Sequence, residues 1–167
     1  MTESKIQNVL FLCTGNSARS ILAEALLNVL GSGRFRAFSA GSNPSGRVQP
    51  IAAALAERLG YPRDALRSKP WDEFAEPGAP TMHMIITVCD NAAGESCPVW
   101  PGHPAIAHWG VPDPAAVEGS EEVRRRAYVD AMATLRRRVE LLVALPADKL
   151  ERLAAADALR DIAERSA

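Results

Sequence analysis

Residues 6–31, IQNVLFLCTGNSARSILAEALLNVLG, change periodicity once, and the change falls on one loop. Ile6 to Leu12 is short, apolar and partly β-branched, which predicts a buried strand. Ile21, Leu22, Ala25, Leu26, Val29 and Leu30 then recur at helical spacing, and Gly31 ends the helix. Between them Cys13-Thr14-Gly15-Asn16-Ser17 is turn chemistry. A strand that feeds a helix through so short a connection commits this part of the chain to a βα unit.

The pattern repeats downstream. Arg34 to Ala40 alternates as a second strand, and Pro50 opens a helix with Ile51, Leu55 and Leu59 on one face and Gly60 at its end. Tyr61 to Pro80 reads as loop with one helical turn near Asp72. Met82 to Val88 is a third strand and Ala105 to Trp109 a fourth, with loops over Cys89–Gly102 and Gly110–Gly119. From Ser120 a long helix runs to about Ala144, its inner stripe formed by Ala127, Tyr128, Ala131, Leu135, Val139 and Leu142. Pro146 breaks it, and a last helical segment follows from Asp148 to about Glu164. Strands alternating with helices predict an α/β fold, a small open parallel sheet of about four strands flanked by helices. We divide the chain into an α/β catalytic domain, residues 1–145, and a C-terminal helical extension, residues 146–167. The extension spreads Leu150, Leu153, Leu159 and Ile162 around its circumference, to pack on the domain or on a second subunit.

In parallel sheets ligands sit beyond the carboxyl ends of the strands. Cys13, Cys89 and the loop after Trp109 all lie just past strand ends, so the topology gathers them on one edge. The net charge of −1 argues against nucleic acid or an anionic membrane as the main partner. No apolar run is long enough to span a bilayer, and Met1 to Lys5 do not begin a signal peptide, so the chain is expected in the cytoplasm. There its three cysteines stay reduced, and their odd number fits no disulfide framework.

The segment Cys13-Thr14-Gly15-Asn16-Ser17-Ala18-Arg19-Ser20 can curl consecutive N–H groups around an oxyanion, with a helix N-terminus behind it. Gly15 allows a conformation that a Cβ would resist. Arg19 can contact two oxyanion oxygens, and Ser20 can donate to the sulfur. These effects favour a thiolate at Cys13, the nucleophilic form. A bare cysteine with an arginine six positions on would read as structural; the complete strand–CTGNSARS–helix context reverses that.

FLCTGNSARS with Leu22-Ala23-Glu24, SAGSNP (39–44), ITVCD (86–90), CPVWPG (97–102) and HWGVPDPA (108–115) together resemble the low-molecular-weight protein tyrosine phosphatase family and the arsenate reductases built on its fold. The resemblance runs from about Ile6 to the end of the long helix. It implies that Asp113, in Asp113-Pro114, is the general acid, although Asp-Pro alone would merely start a turn. The phosphatases typically have Tyr after this Asp-Pro. Ala115 stands here, which points away from phosphotyrosine and towards a small inorganic oxyanion.

Cys89 and Cys97 separate the two activities further. A phosphatase needs one cysteine, because water can hydrolyse its phosphocysteine. Arsenate reduction needs two electrons, which a dithiol provides by becoming a disulfide. The resemblance implies a Cys13/Cys89/Cys97 relay, restored by thioredoxin or by glutaredoxin and glutathione. The longer DNAAGES loop between Cys89 and Cys97 leaves that reductant open, and Ala18 stands where many members carry a further cysteine. The alternatives are a phosphatase of small phosphorylated substrates or phosphotyrosine, and a non-catalytic oxyanion or thiol sensor. Nothing implies a tightly bound cofactor except potassium, which some relatives hold beside the loop. The matching positions are Asn16, Glu24, Ser39 and Asp72, and Asn16 and Ser39 can equally serve as hydrogen-bonding supports of the loop. His83, His103 and His108 lack zinc-ligand spacing. Arg124 to Arg126 and Arg136 to Arg138 read as solvated helix surface.

Overall fold

The computed structural model describes residues 6–89, 104–150 and 152–165. Its elements run β1 (Gln7–Cys13), α1 (Arg19–Leu30), β2 (Phe35–Gly41), α2 (Pro50–Leu59), α3 (Asp72–Ala75), β3 (Met84–Thr87), β4 (Ala105–His108), α4 (Glu121–Val143) and α5 (Arg152–Arg165). The four strands form one parallel sheet in the order β2-β1-β3-β4. Chain order reverses between β1 and β3, because β2 was laid on the other side of β1. That reversal opens a crevice beyond the carboxyl ends of β1 and β3, the usual ligand position in such sheets.

β1 is central because both of its faces are apolar. Val9 and Phe11 join one core with Leu22, Leu26, Tyr128, Leu135, Val139, Leu159 and Ile162 from α1, α4 and α5. Leu10 and Leu12 point the other way, into a smaller core with Trp71, Phe74 and Met82. Consecutive side chains of a strand alternate between faces, so an unbroken apolar run is what a covered central strand requires. Each such side chain, fully buried, contributes about 1.5–3 kcal/mol.

β3 and β4 are shorter than their apolar runs. Met82 leaves the sheet for the second core, and His83 continues the ladder partly with its ring: its N–H donates to the Asn8 carbonyl and its Nδ1 accepts the Asn8 N–H, both at 2.8 Å. Trp109 lies beyond β4 and is fully buried, with Nε1 donating to the Leu159 carbonyl at 2.9 Å. α5 therefore packs on the domain against the β4 side of the sheet. α4 begins at a Ser120 cap, whose hydroxyl accepts the Val123 N–H at 3.2 Å. At its other end Arg34 donates to the Val143 and Leu145 carbonyls at 2.6 and 2.8 Å, which supplies partners that the helix itself cannot. Among the described residues no helix is long and apolar enough to cross a membrane.

Candidate active site

Cys13 is the last residue of β1, 4% exposed and in register with Gly41 of β2. After it the loop carbonyls turn outward onto a brace. Thr14 O accepts the Asn43 N–H at 3.0 Å, and Gly15 O accepts the Ser45 N–H at 3.0 Å and the Ser68 hydroxyl at 3.1 Å. Ser17 O accepts the Gln49 N–H at 2.9 Å. In a trans peptide the carbonyl and the following N–H point in opposite directions. The N–H groups of Gly15, Asn16 and Ala18 therefore face away from the brace and into the loop. α1 starts at Arg19 with no side-chain cap, so its first N–H groups point into the same space. SAGSNP is thus the outer half of the anion loop.

The backbone demand falls elsewhere than the sequence suggested. Within the loop Asn16 takes positive φ, at 45°, a region Asn tolerates better than most residues. It is held there by both ends of its amide: Oδ1 accepts the Lys69 N–H at 2.9 Å, and Nδ2 donates to Ser20 Oγ at 2.8 Å. Ser20 Oγ accepts that amide, which leaves its own O–H available to donate. At Gly15 a Cβ would meet nothing closer than Ser17 Oγ at 3.6 Å, an ordinary contact. At Gly41 it would lie 2.5 Å from Thr14 O and 3.0 Å from Cys13 O. The glycine that the loop cannot do without is Gly41.

Cys89 follows β3 and is 2% exposed. Its sulfur accepts the Thr14 N–H at 3.2 Å and lies 3.6 Å from Thr14 Oγ1. Cys13 and Cys89 are both thiols, not bridged to one another. A hydrogen bond to Cys89 and burial push the Cys13 thiol up from its ordinary range, while Arg19 and the Gly15 N–H pull it down. The expected loop influences are present, and a second buried sulfur beside Cys13 acts in the opposite direction. Cys97 lies outside the described residues.

Arg19 joins the loop to the acid. Its Nη1 donates to Val111 O at 2.9 Å, and its Nη2 stands 3.6 Å from Asp113 Oδ2. Asp113 caps the turn Pro114–Ala116 by accepting the Ala115 N–H at 2.9 Å, and its side chain remains 41% exposed. A carboxyl that is both tied back and open to solvent can deliver a proton at the loop mouth. Arg138 underlies this segment. It is buried, with Nη1 donating to Gly110 O at 3.1 Å, and burial lowers its hold on the proton. This corrects its reading as solvated surface; Arg136 and Arg137 are exposed as expected. Position 138 stands three after Leu135 and seven after Ala131, so the inner stripe of α4 already included it.

Behind the loop, Glu24 is a buried carboxylate. Oε1 accepts the Ser39 hydroxyl and Oε2 the Tyr61 hydroxyl, each at 2.6 Å. Burial, then the bond to Glu24, pushes the Tyr61 phenol up. Lys69 completes the group, with Nζ 3.8 Å from Glu24 Oε1, 3.5 Å from Ser39 Oγ and 3.0 Å from Arg67 O. The space between Glu24 and Ser39, expected for potassium, therefore already contains a cationic side chain. Asp72 is exposed at the start of α3. His83 and His108 serve the sheet, His108 Nδ1 lying 2.7 Å from Thr87 Oγ1. Lys69 and Gly41 were not singled out from the sequence. Gly41 had a signal, as the centre of SAGSNP, whereas Lys69 in RSKPW had none.

Comparison with known proteins agrees with this geometry. Residues 8–156 match the family model for low molecular weight phosphotyrosine protein phosphatase. An arsenate reductase of Bacillus subtilis (strain 168) is 32% identical over 120 residues, 72% of this chain and 81% of that protein. A solved structure of an arsenate reductase in the phosphate binding state is 30% identical with a TM-score of 0.63, covering 83% of this chain and 98% of that one. Another, in an oxidized state, is 29% identical with the same TM-score and coverage. On the matched span, the parallel sheet and the Cys13 loop, the chain belongs to the low-molecular-weight phosphotyrosine protein phosphatase family.

Proposed function

We propose that this chain reduces arsenate to arsenite, for arsenic detoxification. The observation that carries the reading is the pair of reduced thiols, Cys13 in the anion loop and Cys89 bonded to the loop's own Thr14 N–H. Hydrolysis of a phosphate ester has no use for the second thiol, and the similarity to named arsenate reductases supports the same choice.

The loop N–H groups and Arg19 hold the oxyanion, and the Cys13 thiolate attacks arsenic. The S–As bond forms, and an oxygen leaves as water with a proton from Asp113. The Cys89 thiolate then attacks the Cys13 sulfur. The S–As bond breaks with its electron pair on arsenic, which departs as arsenite, and a Cys13–Cys89 disulfide remains. Cys97 attacks Cys89 and frees Cys13. The Cys89–Cys97 disulfide is reduced by two electrons from an external dithiol protein, thioredoxin in our reading. Two electrons enter arsenic and two thiols are oxidised, so the step balances.

The test is arsenate turnover by purified protein with NADPH, comparing thioredoxin and thioredoxin reductase with glutathione and glutaredoxin. In the thioredoxin assay Cys97→Ser is expected to release one arsenite per enzyme and stall as a Cys13–Cys89 disulfide, identified by peptide mass spectrometry. Undiminished multiple turnover in that variant overturns the relay. Hydrolysis of p-nitrophenyl phosphate far exceeding arsenate reduction, with Cys89→Ser neutral in both, replaces the reading with the phosphatase one.

A further inference from the structure

We propose that Lys69 is a tethered monovalent cation that takes the place of potassium behind the anion loop, so that this chain organises its loop without that ion. The evidence is the position and company of the ammonium. Three oxygens face it, from Glu24, Ser39 and the Arg67 carbonyl. A carboxylate, a hydroxyl and a carbonyl are the oxygens that a potassium ion takes as ligands, and an ammonium of similar size binds the same set by hydrogen bonds. Lys69 is 6% exposed, Glu24 4% and Ser39 0%.

Charge decides between the two cations. A buried carboxylate is costly without a partner. Glu24 brings one negative charge and Lys69 one positive, so the pair is neutral. Burial loosens the Lys69 proton, but Glu24 opposes this. Arg67 adds further positive potential, although its guanidinium is engaged by Glu73. A potassium ion entering here would have to displace the ammonium or stand beside it, and Glu73, the other carboxylate whose charge reaches Lys69, is already engaged by Arg67.

Lys69 also does what a free ion cannot. Its backbone N–H donates to Asn16 Oδ1 at 2.9 Å, and its carbonyl accepts the Gly41 N–H at 2.9 Å. The same residue thus neutralises Glu24 and pins the two loop supports on which the geometry depends, Asn16 at positive φ and Gly41 under Thr14. Lys69 is a positioning residue, acting on the oxyanion through Asn16 and the loop backbone.

The inference assumes that the loop binds oxyanions, and its test separates the two ideas. Phosphate affinity by calorimetry and the thermal midpoint are measured in potassium chloride and in tetramethylammonium chloride at equal ionic strength. The wild-type protein is expected to give the same values in both. Lys69→Ala, which leaves room for an ion, should bind phosphate roughly tenfold to a hundredfold more weakly without potassium, the scale of losing a support behind a bound ion. It should recover when potassium is added. Lys69→Met fills the space with an uncharged stem and should lose affinity without recovery.

A wild-type thermal midpoint that rises with potassium overturns the proposal, as does Lys69→Ala binding phosphate normally in its absence. Loss in Lys69→Ala with no recovery assigns Lys69 to packing and overturns it too. Should the variants fail to fold, the wild-type titration decides. Should the wild type bind no phosphate, the oxyanion reading fails while the thermal midpoints still test Lys69.

Discussion

Gly41→Ala isolates the backbone contact that shapes the anion loop. The new Cβ would stand 2.5 Å from Thr14 O, 3.0 Å from Cys13 O and 3.1 Å from Asn16 Cβ. The first contact is about an ångström short of ordinary van der Waals distance, and its partner is backbone, which no rotamer change can move. Two responses exist. The end of β2 can retreat, which strains the Gly41 N–H bond to Lys69 O and the Trp71 N–H bond to Gly41 O, both 2.9 Å. Otherwise the loop shifts, which redirects the N–H groups facing the oxyanion. Overpacking of this kind costs about 1–3 kcal/mol. A loop displaced by about an ångström loses turnover by roughly a hundredfold. Urea unfolding should show the midpoint fall with an unchanged slope, and arsenate kinetics should show kcat/KM fall further than stability alone explains. Wild-type values in both assays would refute the claim that Gly41 bounds the loop. The same substitution at Gly15, where a Cβ meets only an ordinary contact, is the matched control.

Two further outcomes follow from the geometry. Asp113→Asn should slow arsenate turnover by about a hundredfold or more, the usual scale for a positioned acid. Phosphate affinity should stay near the wild-type value, and an unchanged rate would reduce Asp113 to the cap of the Pro114–Ala116 turn. Cys89→Ala removes the largest influence that raises the Cys13 thiol. The pH at which Cys13 becomes half-reactive to iodoacetamide should therefore move down; a profile that stays in place would mean that the two sulfurs are not coupled.

The residues that carry chemistry were legible because chemistry needs particular side chains. A cysteine at a strand end, a run of turn residues and an arginine opening a helix can be recognised without knowing what packs around them. The parallel sheet was equally legible, since VLFL in β1 and MII in β3 are apolar on both faces, as covered strands must be. What lay beyond reach was the state of the sulfur. Local sequence around Cys13 contains every group that lowers a thiol's proton affinity. The group that raises it, Cys89, arrives from 76 positions away through the β1–β3 pairing, which brings its sulfur within 3.2 Å of the Thr14 nitrogen that follows Cys13.

Supports of the loop were hidden for a different reason, since each works through its backbone or through a partner distant in sequence. Arg138 carries the charge of a surface arginine, while the helical stripe through Ala131 and Leu135 places it inward. Lys69 sits in an irregular segment whose path is set by the bridge between Gly41 and Pro70. No periodicity predicts where its ammonium goes. Gly15 and Gly41 make the contrast sharpest. Gly15 lies within the loop, where turn chemistry predicts a conformational role, yet its neighbours leave room for a Cβ. Gly41 lies on the adjacent strand, in register with Cys13, and the loop folds back over it. A glycine required by its own φ can be guessed from a turn. One required because another segment passes close above it is visible only after the two segments have been placed together.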